Sequence, residues 1–288
     1  INDAVNVLYS TVSQLDGKYL PIQNPQYNGT FSNVGNYALG TKSIALGNGS
    51  SAMGINAIAL GNESFVLGDN SVGFGSSVMV PGTAAFACGF QTTAENFYTH
   101  AEGLRARASG DQSHAEGENT RALGPNSHAE GYQSTADSNG SHAEGAYTKA
   151  DSDGSHAEGS YSQATYNCAH AEGYNTTASG AYSHSEGAFT LASNEAAHSA
   201  GYQTTASGKF QTVIGAHNII DENNEFAFIV GVGKVHQSES DPEDSYENGL
   251  TVNWNGEAAA ANFATTVDGT KYTLTQIISA LKNAGILS

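Results

Sequence analysis

Residues 113–145 read SHAEGENTRALGPNSHAEGYQSTADSNGSHAEG, and the unit SHAEG returns every fourteen residues. The spacing extends well beyond this stretch. Histidine stands at 100, 114, 128, 142, 156, 170, 184 and 198, and glutamate follows two residues later at 102, 116, 130, 144, 158, 172 and 186, with Ala200 breaking the last term. Glycine closes each unit, and half a period away alanine recurs at 94, 108, 122, 136, 150, 164, 178, 192 and 206. Upstream, in YALGTKSIALGNGSSAMGINAIALGNESFVLGDNSVGFG (37–75), glycine falls at every seventh position from Gly40 to Gly89. A fixed short period is the signature of a solenoid. Seven residues accommodate one strand of four or five residues and a turn, so fourteen make one two-sided coil whose strands stack on those of the coil before. A helical alternative fails, because glycine at every seventh position among Ser, Thr and Asn carries too large a propensity cost.

The sequence therefore predicts an all-β parallel β-roll with 14-residue turns and two short strands per turn. Glycine is expected to supply corner conformations that a Cβ forbids, and small Ala and Ser to fill a narrow interior. Composition agrees: there are 34 Gly and only 13% charged residues, too few large aliphatic side chains for a thick core. The predicted segments are a coiled-coil helix over 1–15, a connector over 16–36, the roll over 37–215, a β cap over 216–263 and a C-terminal helix over 264–288. The first rests on the 4-3-4-3 spacing of Ile1, Val5, Leu8, Val12 and Leu15, the last on Leu274, Ile277, Ile278 and Leu281 along one helical face.

In a strand, residues i and i+2 share a face, so His114 and Glu116 point together and away from the small Ser113 and Ala115. The same slot is apolar elsewhere, with Ile44 and Leu46, Ile58 and Leu60, Val72 and Phe74, Phe86 and Cys88, and finally Thr212 and Ile214. A face that is apolar at both ends and His/Glu in the middle predicts a buried interface between chains. The expected assembly is a parallel homotrimer, with a ladder of His100, Glu102, His114, Glu116, His128, Glu130, His142, Glu144, His156, Glu158, His170, Glu172, His184, Glu186 and His198 along the trimer interface. Acidification through the carboxylate range is then expected to weaken the trimer.

The sharper alternative for this ladder is metal: imidazoles from three chains at one level make a three-histidine set, with His114, His128, His142 and His156 as candidates and axial ions as the only cofactor considered. Seven copies of one pair look more like a repeated packing solution. No HExxH, GxSxG, P-loop or GxGxxG motif is present, and general base catalysis needs one tuned environment rather than seven, so no catalytic residue is assigned. An incomplete threonine row (120, 148, 176, 190, 204) invites comparison with ice-binding solenoids, and corner Asp and Asn residues with calcium sites; satisfied turns are the simpler reading of the latter.

The net charge of −18 argues against nucleic acid and anionic membrane surfaces as partners. No apolar run is long enough for a membrane-spanning helix, and no signal segment is visible at the start, INDAVNVLYS. Cys88 and Cys168, at different repeat positions, read as two buried thiols rather than a disulfide. The recurring aromatics Tyr132, Tyr147, Tyr161, Tyr174, Phe189 and Tyr202 are either packing beside the corners or binding platforms.

SIALG, AIALG and SHAEG resemble the repeats in the head domains of trimeric autotransporter adhesins. That resemblance implies a left-handed roll assembled as a trimer. SHAEG together with LDGKYLPI (15–22), FQTVIGAHNIIDENNEFAFIVGVG (210–233) and LTVNWNGEAAAANF (250–263) is similar to tail-fibre and neck-appendage proteins of bacteriophages. The resulting expectation is a non-enzymatic fibrous attachment protein on a virion surface, recognising a bacterial surface structure such as a glycan. The alternatives are an adhesin head on a bacterial cell surface, binding host cells or matrix, and a structural spike with axial metal ions.

Overall fold

The computed structural model describes residues 31–32, 35–233, 246–260, 265–267, 270–272 and 279. The expected coiled coil over 1–15 and nearly all of the connector lie outside these residues, as do Leu274, Ile277, Ile278 and Leu281 of the expected C-terminal helix. The chain is an all-β parallel solenoid of about 14 turns with no helical element among the described residues. Two compact units are distinguished, Ile1–Gly159 and Ser160–Ser288.

In the first unit each turn contributes a five-residue strand and a two-residue strand, as in His114–Glu118 and Arg121–Ala122. The five-residue strands pair in parallel with a register shift of fourteen, so Ile44 faces Ile58, Ile58 faces Val72, Phe86 faces His100 and His114 faces His128. The two-residue strands stack likewise, Arg107 on Arg121 and Ala108 on Ala122. The stack starts one turn before the expected boundary at 37, because Phe31–Ser32 already pairs with Ile44–Ala45. Strands are short because a corner follows each, and strand order equals turn order because each turn has only its neighbours to bond.

The interior is as narrow as the sequence indicates. Ala101, Ala108, Ala115, Ala122, Ala129 and Ala136 are fully buried, with Ser or Thr beside them. Where the sequence departs from this, volume is exchanged between positions. Val66, Val78 and Val80 are buried around Gly73, and a Cβ there would lie 2.7 Å from Val66 Cγ2. Interiors packed this closely accept a change of a methyl group only against a compensating loss. Thr120, Thr148, Thr176, Thr190 and Thr204 are all buried, so the threonine row lines the interior and offers no ice-facing surface.

The glycines meet the expectation only in part: Gly103, Gly117 and Gly131 take φ of 111°, 109° and 98°, which a Cβ disfavours, but a second cause acts as well. The left-handed corners recur every seventh residue but are held mostly by other residues: Arg105 (φ 58°), Gln112 (59°), Asn119 (57°), Asn126 (55°) and Gln133 (54°) are consecutive examples. Each costs about 1–2 kcal/mol relative to the right-handed region, offset by a bond between turns, such as Asn119 N–H to Leu104 O (2.8 Å) and Gln133 N–H to Glu118 O (2.8 Å). The repeating glycines sit where consecutive turns touch backbone to backbone. A Cβ on Gly117 would overlap the carbonyl oxygen of Gly131, and one on Gly110 that of Gly124. Gly117 also has φ +109°, whereas Gly110 has no positive φ, so close approach is the requirement shared by both series.

In the second unit, His170–Tyr174, His184–Ala188, His198–Tyr202 and Thr212–Ala216 stack with the same register. Phe226–Val232 adds one more parallel strand sixteen residues on, Thr212 facing Phe228. This longer last turn adds a polar plug beside the fully buried Val213 and Ile229. Gln211 is fully buried; its amide nitrogen donates to Asp221 Oδ2 (2.8 Å) and Phe226 O (3.0 Å), while its oxygen accepts from Ser207 N–H (3.0 Å) and Gly208 N–H (3.1 Å). Asn248–Asn253 then pairs antiparallel with Phe226–Val232, and Ala258–Ala260 with Asn248–Asn253, covering an otherwise open sheet edge. An antiparallel hairpin of Thr265–Val267 and Thr270–Tyr272 occupies the start of the segment expected to be helical from 264.

Candidate functional site: the His/Glu face, its ends and the opposite face

Alternation along the five-residue strand turns Ala115 inwards and His114 and Glu116 outwards, and the fourteen-residue register sets identical side chains one above another. In the first unit the imidazoles form a stack: ring centroids are 4.4 Å apart for His100 and His114, 4.8 Å for His114 and His128, 4.8 Å for His128 and His142, and 4.7 Å for His142 and His156. The stack rests on the edge of Phe86, 4.9 Å from His100. In the second unit His170 and His184 are 4.8 Å apart, and His184 and His198 5.0 Å.

Glutamates run beside the rings. His100 Nε2 lies 3.3 Å from Glu102 Oε2, within hydrogen-bond reach. The next pairs are longer, His114 to Glu116 at 3.5 Å, His128 to Glu130 at 3.7 Å, His142 to Glu144 at 3.6 Å and His156 to Glu158 at 3.7 Å, which makes them electrostatic contacts rather than hydrogen bonds. In the second unit Glu172 approaches both His170 (3.8 Å) and His184 (3.9 Å). Glu186 reaches His198 of the following turn at 3.6 Å, so the missing carboxylate at Ala200 leaves His198 with an acidic neighbour.

The ladder residues are half-buried within one chain, with about a third of each side chain exposed: 35% for His114 and 39% for Glu116. Burial foremost, and then the neighbouring imidazoles His100 and His128, hold the His114 pKa below its ordinary value, against the opposing pull of Glu116 and Glu102. His184 is lowered in the same way by burial, then by His170 and His198, against Glu186 and Glu172. The sign sets the pH window. A histidine depressed in the fold binds its proton more readily when unfolded, so stability is full above the ordinary value of 6.5 and is lost as pH falls through it towards the folded value. The melting midpoint is therefore expected to decline between pH 7.5 and 5.5, above the carboxylate range. A flat profile across that interval, with loss only near pH 4, would leave the imidazoles without a part in it.

Some pairs of adjacent turns also offer a potential donor set. His114, Glu116 and His128 present ligand atoms within 4.8 Å of one another, as do His142, Glu144 and His156 in the first unit and His170, Glu172 and His184 in the second. Parallel rings send their lone pairs side by side, and zinc bonds to nitrogen are about 2.0–2.1 Å long; the rings must rotate towards each other before two of them share an ion. The stacked arrangement favours packing over a preformed metal centre.

In the turns that precede the ladder the face is apolar. Ile44, Leu46, Ile58, Leu60 and Val72 are partly exposed, and Phe74 and Phe86 are 57% and 36% exposed. Cys88, in the same slot, has its thiol pKa raised by burial and then by Glu102 3.9 Å away. Cys168 is exposed at a left-handed corner (φ 51°), which corrects its reading as a buried thiol. Two aspartates near corners serve the structure: Asp153 Oδ1 accepts from Asn139 N–H (3.2 Å) and Asp69 Oδ1 from Ile55 N–H (2.7 Å), each one turn back.

Two features of the other face escaped the sequence reading. Exposed Tyr37, Met53, Phe65, Leu67 and Met79 decorate the first turns of the two-residue-strand sheet. Further on, Arg105, Arg107 and Arg121, the chain's only arginines, line one groove. The signal was present in their repeat positions, since 107 and 121 are one period apart, but the histidine series masked it. The recurring aromatics fall at the corners beside this face: Tyr132 meets Tyr147 edge-on at 5.2 Å, and in the second unit Tyr161, Tyr174, Phe189 and Tyr202 make consecutive edge-on contacts of 6.1, 5.2 and 5.8 Å. They pack on one another and remain partly exposed.

Comparison with known proteins bears on the roll alone. The family model of the YadA head domain repeat matches residues 38–64, 52–77 and 115–136, which is well under half of the chain, and no curated protein matches it. The matched segments take in both the SIALG-type turns and a SHAEG turn, so the apolar and His/Glu stretches are similar to one repeat, and the solenoid is YadA-like.

Proposed function

We propose that this chain is the head of a bacterial trimeric autotransporter adhesin, displayed on the cell surface and binding host cells or matrix, with no catalytic role. The observation that carries this is the coincidence of a YadA head domain repeat match with an outward face bearing exposed Phe74 and Phe86 beside a half-buried His/Glu ladder. A roll with a methyl-lined interior has little core of its own, and apolar side chains in one column mark a surface that another chain covers. Three copies related by a parallel axis, each turning this face inward, supply the missing core. The His/Glu ladder then becomes an intersubunit seam, where carboxylates of one protomer satisfy imidazoles of its partner.

The bacteriophage fibre expected from the flanking segments would share the trimer. The repeat match favours the adhesin, and the two part company on the target. Labelled full-length protein is incubated with animal cells, matrix proteins and bacteria. Saturable binding to animal cells or matrix is the expected result. Saturable binding to bacteria alone would return the reading to a phage fibre, and binding to none of them would leave a structural spacer.

A further inference from the structure

The arginine groove of the first unit carries an inference that names a ligand class for this attachment surface and rests on that reading. In a chain of net charge −18, three arginines and no more are present, and all three line one groove of about 600 Å³ together with Asn119, Gln133 and Thr135. Arg105 holds a left-handed corner (φ 58°), and its Nε donates to Gln91 Oε1 (2.9 Å). Arg107 makes a two-pronged contact with Glu95, Nε to Oε1 at 2.8 Å and a terminal nitrogen to Oε2 at 3.0 Å. Arg121 stacks one turn beyond Arg107 and has no hydrogen-bonded or ion-paired side chain among the described residues. Glu95 thus neutralises one of three guanidinium charges. Two further acids are Glu118, whose Oε1 is 3.4 Å from Asn119 Nδ2, and Asp137, whose carboxyl is raised mainly by burial and by Asp151 while Lys149 and Arg121 pull the other way.

Two guanidiniums therefore retain most of their donors, with an amide from Asn119, an amide from Gln133 and the Thr135 hydroxyl between them. Guanidinium matches carboxylate and sulfate oxygens in a planar, two-pronged geometry. The groove also adjoins an aromatic surface. Gln133 Nε2 donates to Tyr132 Oη (2.9 Å), Tyr132 packs edge-on against Tyr147, and these rings are 36% and 39% exposed. Cationic forks and neutral polar groups in one shallow groove, with a partly exposed ring beside it, are the elements that an acidic sugar uses: charge for its anionic substituent, amides for its hydroxyls, a ring for its apolar face. The groove lies on the sheet opposite the His/Glu face, so a trimer closing on that face leaves it open.

We infer that this groove binds an acidic saccharide, a glycan carrying carboxylate or sulfate groups, through Arg105, Arg121 and the Tyr132–Tyr147 pair. Binding of the full chain is measured by fluorescence anisotropy with four labelled probes: a heparin-derived hexasaccharide, an oligogalacturonate, maltohexaose and a polyglutamate peptide. The expected outcome is salt-sensitive binding of one or both acidic sugars, the sulfated and carboxylated arms identifying the anionic group, with maltohexaose and polyglutamate much weaker. Replacing Arg105 and Arg121 together by Gln is expected to weaken binding about tenfold or more, and Tyr147→Ala to weaken the sugars. Arg121→Gln alone, which breaks no hydrogen bond or ion pair among the described residues and removes only the pull of Arg121 on Asp137, keeps the comparison sound if the double variant misfolds. Equal binding of polyglutamate would reduce the groove to a charge patch, and undiminished binding by the variants, or none by wild type, would overturn the site. If the variants still bind cells as wild type does, the site falls and the attachment reading stands; if wild type binds no cell or matrix, the attachment reading falls by itself.

Discussion

Replacing Gly117 by alanine is expected to lower the melting midpoint by about 10 °C, while the same change at Gly140 lowers it by no more than about 4 °C. Both glycines have positive φ, +109° at Gly117 and +62° at Gly140, and a reading in which glycine serves the corners would rank them alike. The structure separates them. At Gly140 an added Cβ meets nothing within 4 Å, and the equivalent corners are occupied by Asn126 and Gln133 at φ 55° and 54°, so alanine there costs about 1 kcal/mol. At Gly117 the new atom strikes the carbonyl of Gly131. Relief requires two turns to separate along a ladder whose neighbours on both sides keep the original spacing. Backbone strain of about 1–3 kcal/mol and the lost stacking together reach roughly 4 kcal/mol, the range reserved for identifiable structural breakage. Gly110→Ala extends the test: it has no positive φ, yet its Cβ would overlap Gly124, so it should resemble Gly117. Similar small losses at all three sites would show that turn spacing is elastic and that close approach is not what selects glycine.

The repeat made the architecture legible because fourteen-residue periodicity dictates register directly: once His114 faces His128, every other pair in the stack follows. Face assignment was equally direct for Ala115 and Glu116, since strand alternation leaves two choices and only one has methyl-sized side chains. The role of glycine was not legible, because a demand for positive φ and a demand for close approach write the same letter. Nor could the sequence show that Thr120 and Thr148 line the interior, since a hydroxyl suits either face until the corner fixes the phase. The plug of Gln211 and Asp221 was hidden for another reason: a sixteen-residue turn ends the periodicity, and with it the only tool that had placed side chains. The arginines were readable in principle, as 107 and 121 share a repeat position, but Arg105 belongs to the corner series, and only the three-dimensional turn brings the two series into one groove.

The full chain is expected to sediment as three copies, and Leu60→Asp with Phe74→Asp to reduce it to one. Both residues lie in one column of the five-residue-strand sheet, Leu60 facing Phe74 in register, with Phe74 57% exposed within a single chain. Covering such a side chain contributes about 2 kcal/mol, so two positions in three protomers amount to roughly 12 kcal/mol of assembly energy before the cost of enclosing six carboxylates is counted. A loss of that size leaves no trimer at micromolar concentration. The informative control is the other sheet. Phe65 and Met79, stacked on each other in register, are 38% and 47% exposed and just as apolar, so composition cannot tell which face assembles. Phe65→Asp with Met79→Asp should leave three copies intact, because that sheet shares its outer side with the arginine groove and is not continuous with the His/Glu ladder. Dissociation by the second pair and not the first would turn the assembly inside out, placing the arginines against the axis and the imidazole stack in solvent. In that case the pH dependence of melting, set by His114 and His184 within one chain, would survive disassembly unchanged; with the ladder at the seam, disassembly should weaken it.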